Sequence, residues 1–190
     1  MRLILASASP RRLDLLARIG VEVAAVDPAE IDETPLPHEK PIDYARRIAA
    51  AKAAIVAPRH PGDVILAADT VVAAGRRILP KAADEAEVCA CMTLLAGRRH
   101  HVLSAVTVVD ASGVARHRLS DSIVIFGPLS AATIAAYAAS GEGVGKAGGY
   151  AIQGRAEAFV RALSGSHSGV VGLPLFETRA LLLSAGIVLG

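Results

Sequence analysis

The sequence predicts an α/β protein, and two observations carry that reading. Short apolar runs of strand length alternate with segments whose apolar residues recur at helical spacing. Hydrophobic residues fill 53% of the 190 positions while aromatics fill only 3%, so a core is available and aliphatic side chains pack it. The length suits a single domain over residues 1–190, with room for two lobes.

The chain is organised around its opening stretch. Leu3, Ile4 and Leu5 read as a strand, and Leu13, Leu15, Leu16 and Ile19 recur as a helix that Gly20 stops. Between them, Ser9 suits an N-cap and Pro10 suits the first helical position, where its missing N–H costs nothing. Free backbone N–H groups and the positive dipole end favour an anion there. Arg11 and Arg12 follow at once, and guanidinium groups match phosphate oxygens in bidentate geometry. A strand, a small-residue loop, a helix start and two arginines make a cradle for a polyphosphate; the competing reading is a surface turn with solvated arginines.

A second strand is expected over residues 21–26. Residues 27–40 form a Pro-rich acidic loop with Glu30, Asp32, Glu33 and His38. Such loops are commonly just solvated, but this one could supply a metal ligand or contact a base. Pro41 opens a helix to about Ala57, with Ile42, Ala45, Ile48, Ala49, Ala53 and Val56 on its apolar face. Lys52 lies mid-helix, where exposure is the commoner outcome. The apolar strand over residues 63–68 runs into Asp69-Thr70-Val71-Val72. A carboxylate at the end of a buried strand is where open α/β sheets place their chemistry. A charge inside such an apolar run needs a partner or a metal.

Gly75 marks a hairpin return, Lys81 follows it, and Asp84 caps a helix that Gly97 stops. Two long strands meet at the turn Asp110-Ala111-Ser112-Gly113, and Ser130 introduces a further helix. Residues 141–154 are glycine-rich but match neither a Walker A loop nor a dinucleotide fingerprint. They read as backbone shaped for close approach to a ligand, with Lys146 and Gln153 as the useful side chains; the Gln153 amide could read a base edge through its paired donor and acceptor. A second small-residue loop, residues 164–169, carries His167, most simply a surface histidine. A last helix lies between Pro174 and Gly186.

A net charge of +2 with dispersed signs gives no ground for nucleic-acid or membrane binding. No stretch approaches the roughly 20 apolar residues of a membrane span, and the N-terminal apolar run is too short for a signal segment. Cys89 and Cys91 point to different helix faces, so they read as unpaired thiols in a reducing compartment. A cytoplasmic protein is expected.

In chain order, Ser7-Ala8-Ser9-Pro10-Arg11-Arg12, Ala51-Lys52-Ala53, Ala68-Asp69-Thr70-Val71-Val72, Lys81, Lys146-Ala147-Gly148, Tyr150-Ala151-Ile152-Gln153-Gly154 and Val170-Val171-Gly172-Leu173-Pro174-Leu175 resemble the motifs of the Maf family of nucleoside triphosphate pyrophosphatases. The resemblance implies an elongated, twisted mixed sheet flanked by helices, with a cleft between two lobes, as in ITPase-like folds. It implies cleavage between the α and β phosphates with Mg²⁺ or Mn²⁺, a homodimer, and an association with arrest of septum formation. The Ile152-Gln153-Gly154 form resembles the branch that prefers dTTP and UTP, rather than the 7-methyl-GTP branch with Ser-Glu-Gly there.

On this resemblance, Ser7, Ser9, Arg11 and Arg12 hold the triphosphate, and Lys52 and Lys81 neutralise the leaving diphosphate. Asp69 either activates water or anchors the metal, Glu33 is a further metal-side carboxylate, and Gln153 contacts the pyrimidine. The chain departs from the family pattern at Pro80-Lys81-Ala82, at Ser104-Ala105 and at Gly169, which bears on substrate preference or rate. Rival readings are a pyrophosphatase for other nucleotides such as ITP or 7-methyl-GTP, and a non-catalytic nucleotide-binding regulator of septation.

Overall fold

The computed structural model describes residues 1–188. Among the described residues, seven strands form one mixed sheet: β1 Leu3–Leu5, β2 Ala25–Val26, β3 Val64–Ala74, β4 Arg77–Leu79, β5 Arg99–Val109, β6 Ala115–Phe126 and β7 Val160–Ser164. Their spatial order is β2-β1-β3-β5-β6-β7, with β4 also paired to β3. β1 runs parallel to β2 and β3, and the remaining pairs are antiparallel. The helices are α1 Pro10–Arg18, α2 Pro41–Val56, α3 Glu85–Leu95, α4 Ala131–Ala139, α5 His167–Val171 and α6 Leu175–Ser184.

Both sheet faces are covered, and the period-2 alternation of β3 decides what goes where. Ile65, Ala67 and Val71 face α2, packing with its Ala45, Ile48, Ala49, Ala53 and Val56. Leu66, Ala68 and Val72 face the larger core, which includes Leu15 and Leu16 of α1, Val88 and Met92 of α3, and Leu182 of α6. Asp69 therefore belongs to the α2 face and Thr70 to the opposite one.

The edges of β3 create the cleft. β5 covers one edge continuously, from Ile65↔Val109 to Ala73↔His101. On the other edge, β1 pairs only as far as Leu5↔Leu66, and β4 begins at Val72↔Leu79. The sheet is thus open along that edge between Leu66 and Val72, where Asp69 and Thr70 lie. Asp69 is accordingly a mid-strand residue, not the strand-end residue expected from sequence. The parallel neighbour stops while β3 continues, because the antiparallel β5 goes on pairing with it.

Two further expectations are corrected. The second strand shrinks to Ala25–Val26, because Val21 N–H bonds back to the Leu16 carbonyl and its side chain is buried in the turn that ends α1. The loop expected over residues 164–169 instead leads into α5, which starts at His167 and is capped by Ser166 Oγ accepting from Gly169 N–H at 2.9 Å. Ser9 is the α1 N-cap residue with Pro10 behind it, as expected, although its side chain makes no capping bond.

Candidate active site

The opening in the sheet leads to a cleft of about 910 Å³, within the range of small-molecule sites. The residues assigned to the site on the family resemblance line it, namely Ser7, Ser9, Arg11, Arg12, Glu33, Lys52, Asp69, Lys81 and Gln153, as does Lys146, whereas Glu30, Asp32 and His38 of the acidic loop do not. Four segments far apart in sequence bring them there.

The first is the β1–α1 turn. Ser7 Oγ accepts from Ser9 N–H at 3.3 Å and from Arg12 Nη1 at 2.6 Å. Arg12 Nε donates to the Gly172 carbonyl at 2.9 Å. The Arg12 fork is thereby fixed between the loop and the residue that ends α5. Burial lowers the Arg12 pKa below its ordinary value; Arg11 adds to the lowering, while Asp69 and Glu33 oppose it. Burial lowers the Arg11 pKa too, and burial together with Arg11 lowers that of Lys146. These cations crowd one another in a desolvated setting, an arrangement that a polyanion relieves.

The second segment is the ion-pair chain across the sheet opening. Lys52 is only 7% exposed, contrary to the usual fate of a mid-helix lysine, and Asp69 is 3% exposed. Lys52 Nζ lies 2.9 Å from Asp69 Oδ1 and 2.6 Å from Glu33 Oε1. The second Glu33 oxygen accepts from Lys81 Nζ. Burial pushes the Glu33 carboxyl up, but the hydrogen bonds from Lys52 and Lys81 outweigh it and hold it below the ordinary carboxylate value. Lysine, glutamate, lysine and aspartate form one continuous network, as buried charges require.

The acidic loop is not merely solvated. Tyr44 Oη of α2 donates to the Glu33 carbonyl at 2.7 Å, and Arg47 Nη2 donates to the Thr34 carbonyl at 3.2 Å. Glu39 braces Arg47 through Nε at 2.6 Å and Nη2 at 2.7 Å. The loop is strapped to α2, and Glu33 is the carboxylate the strap delivers. Burial first, then the negative charges of Asp69 and Glu33, push the Tyr44 phenol up to about 12, so it remains a donor.

The third segment is Lys81 with the glycine-rich loop. Lys81 forms an antiparallel bridge with Ala147; Ala82 N–H donates to the Lys146 carbonyl at 3.1 Å, and Gly148 N–H to the Pro80 carbonyl at 3.0 Å. The Pro80-Lys81-Ala82 departure therefore keeps Lys81 at the cleft. Gly141, Gly145 and Gly154 line the cleft, as expected, and other glycines of the loop do a second job. Gly148 has φ +67°, and a Cβ there would meet Val72 Cγ1 at 2.7 Å. A Cβ at Gly143 would collide with the Gly149 carbonyl. Close packing of the loop on itself and on β3 demands small residues at these positions.

The fourth segment, α5 and the residues after it, lay outside the site as read from single residues. Ser104 Oγ donates to the Gly169 carbonyl at 2.6 Å and lies 3.1 Å from Thr70 Oγ1, which itself donates to the Gly172 carbonyl at 3.3 Å. Two departures from the family pattern, Ser104 and Gly169, thus touch each other. The backbone carbonyl of Gly172 anchors both Arg12 and Thr70, and a backbone role of that kind leaves no side-chain signature to read.

Motifs spread along the whole chain meet in this one cleft, and a family model matches the chain over nearly its full length. The model described as "Maf-like protein" matches residues 2–185. The chain belongs to the Maf-like family. Among relatives, a dTTP/UTP pyrophosphatase of Sphingopyxis alaskensis is 65% identical over 188 residues, covering 99% of this Maf-like chain and 98% of the relative. A dTTP/UTP pyrophosphatase of Rhodospirillum rubrum is 60% identical, covering 97% and 88%. One of Caulobacter vibrioides is 56% identical, covering 97% and 95%. No described helix of the Maf-like chain is long and apolar enough to cross a membrane.

Proposed function

We propose that this chain hydrolyses dTTP and UTP to the nucleoside monophosphate and diphosphate, by attack of water at the α-phosphorus. The observation that carries the reading is Asp69: a buried carboxylate in a sheet opening, paired to Lys52 and surrounded by cations suited to a polyphosphate. A pure anion-binding module has no use for a carboxylate beside its ligand.

Each residue then has a task. Arg12, held rigidly by Ser7 and Gly172, binds phosphate oxygens together with Arg11 and the Ser7–Ser9 turn. Asp69 orients the attacking water and accepts its proton, a role worth about 10²–10⁴-fold in rate. Lys52 holds Asp69 in place. Lys52 and Lys81 compensate charge that moves toward the departing diphosphate, since positioning and charge stabilisation dominate phosphoryl transfer. Glu33 keeps both lysines aligned. Gln153 meets the pyrimidine edge.

A divalent cation, Mg²⁺ or Mn²⁺, belongs to the proposal. Asp69 and Glu33 already share one cation, the Lys52 ammonium. Among the described residues no cluster of three or more His, Cys, Asp or Glu could hold an ion alone. Mg²⁺ commonly takes one or two carboxylates and fills its shell with phosphate oxygens and water, so these two carboxylates fit a metal carried in with the triphosphate. When bound, it supplies charge neutralisation and a more acidic water. A cytoplasmic homodimer with a role in septation is proposed on the family resemblance alone.

The test is diphosphate release from dTTP, UTP, CTP, ITP and 7-methyl-GTP with Mg²⁺ and with Mn²⁺. Release chiefly from dTTP and UTP is expected. Binding of nucleotide without release from any of the five would support a regulatory protein instead.

A further inference from the structure

Gln153 sits in a turn segment, residues 150–154, with no strand or helix to fix its course. Gly154 N–H donates to the Ala151 carbonyl at 3.1 Å and closes that turn; side chains bonded to the backbone at its two ends fix where the turn sits, and these converge on one carboxylate. On the N-terminal side, Ala151 N–H donates to Tyr137 Oη at 3.1 Å, and Tyr137 Oη donates to Glu142 Oε1 at 3.3 Å. On the C-terminal side, Arg155 N–H donates to Glu142 Oε2 at 3.1 Å. Between them Gly154 lies in direct contact with the same group: a Cβ there would collide with the Glu142 carboxylate. Tyr137, 3% exposed, is itself held edge-on against Phe159, with ring centroids 5.5 Å apart.

Glu142 also lines the cleft. A carboxylate in a cleft built for a triphosphate repels the ligand, and the support it lends the Lys146 ammonium does not account for its aim. Its bonds to the backbone on both sides of Gln153 do. We propose that Glu142 is a positioning residue for base selection, clamping the Ala151–Arg155 backbone so that the Gln153 amide meets the pyrimidine at a fixed angle. This rests on the assignment of Gln153 to the base. The Glu142 carboxylate acts on the base through this backbone clamp, while its charge also reaches the Lys146 ammonium.

The experiment compares Glu142→Gln, Tyr137→Phe and Gln153→Ala with the unaltered protein. It measures kcat and KM for dTTP and dCTP, inhibition by inorganic tripolyphosphate, and Tm. A well-placed bidentate amide–base pair discriminates by about 5- to 150-fold. Glu142→Gln should lose a large part of the dTTP-over-dCTP preference, chiefly through KM for dTTP, with tripolyphosphate inhibition unaltered. Tyr137→Phe should shift the preference in the same direction by less, and combining the two should add little to Glu142→Gln alone. An intact preference in both, with a native Tm, overturns the Glu142 assignment if Gln153→Ala has lost it. An intact preference in Gln153→Ala overturns the base-reading role beneath it. Weakened tripolyphosphate inhibition in Glu142→Gln overturns the claim that it acts at the base end.

Discussion

Replacing Lys52 by Met tests the ion-pair chain from the stability side. The ammonium is 7% exposed and bridges Asp69 Oδ1 and Glu33 Oε1. Methionine fills much of the lysine stem's volume, so lost packing contributes little and the missing charge dominates. Glu33 keeps Lys81, and its side chain is 32% exposed, so water compensates it. Asp69, 3% exposed, gets no such help from water, and the nearby Arg12 guanidinium bonds to Gly172 and Ser7 instead. Breaking a buried pair from one side costs about 3–5 kcal/mol. For a domain of this size each kcal/mol moves Tm by about 2–4 °C, so a fall of about 6–20 °C is expected by calorimetry. The double variant with Asp69→Asn should recover a good part of the loss, because a neutral amide needs no cation. A Tm within about 2 °C of the unaltered protein, or strictly additive losses, would refute the buried pair.

Other consequences are simpler. Arg12→Lys removes the fork that spans Ser7 and Gly172; KM for dTTP should rise by about tenfold or more, and an unchanged KM would remove Arg12 from the phosphate site. His100 is fully buried against Phe126 and Tyr150, and burial pushes its pKa down to about 4. Between roughly pH 6.5 and 4 the unfolded chain binds a proton that the folded chain refuses, so this residue's contribution to stability is full above about 6.5 and is lost on acidification through that window. His100→Phe should flatten this part of the stability–pH curve; identical slopes would contradict it. Gly148→Ala strains a left-handed backbone and meets Val72, so it should lower Tm and disturb the bridge at Lys81, visible as a parallel loss of kcat; native values of both would argue against a tightly packed loop.

The sequence made the polar ends of the site legible because each lies beside a strong local signal. Ser9-Pro10 announces a helix start, and Asp69 stands out within an apolar run. What it could not convey was the partner of each charge. Lys52 looked like a solvated mid-helix lysine, yet its Cα lies on the face of α2 that packs on β3, one turn from Ile48 and Ala49, and the carboxylate that makes burial tolerable comes from another element. Glu33 sits among acidic residues, and only the family resemblance singles it out in the sequence; in the fold, Tyr44 and Arg47 select it by tying down the loop from α2. Asp69 is expected at the end of the strand over residues 63–68, although apolar residues resume at Val71 beyond it. The pairing partner β5 carries the strand onward, and only the lengths of β1 and β4 leave the opening. Strand lengths in neighbours are a non-local property that no window of sequence reports.

The departures from the family pattern illustrate the same point. Ser104 and Gly169 are 65 residues apart, and each looked like an isolated loss. In the fold they form one hydrogen bond beneath Thr70, so their effects should be judged together.

The claim that water near Asp69 attacks the α-phosphorus is tested most directly by hydrolysing dTTP in ¹⁸O-labelled water and weighing both products. The account predicts one labelled oxygen in dTMP, none in the diphosphate, and a rate about 10²–10⁴-fold lower for Asp69→Asn. Label in the diphosphate, release of single phosphates, or an undiminished rate in Asp69→Asn would contradict it.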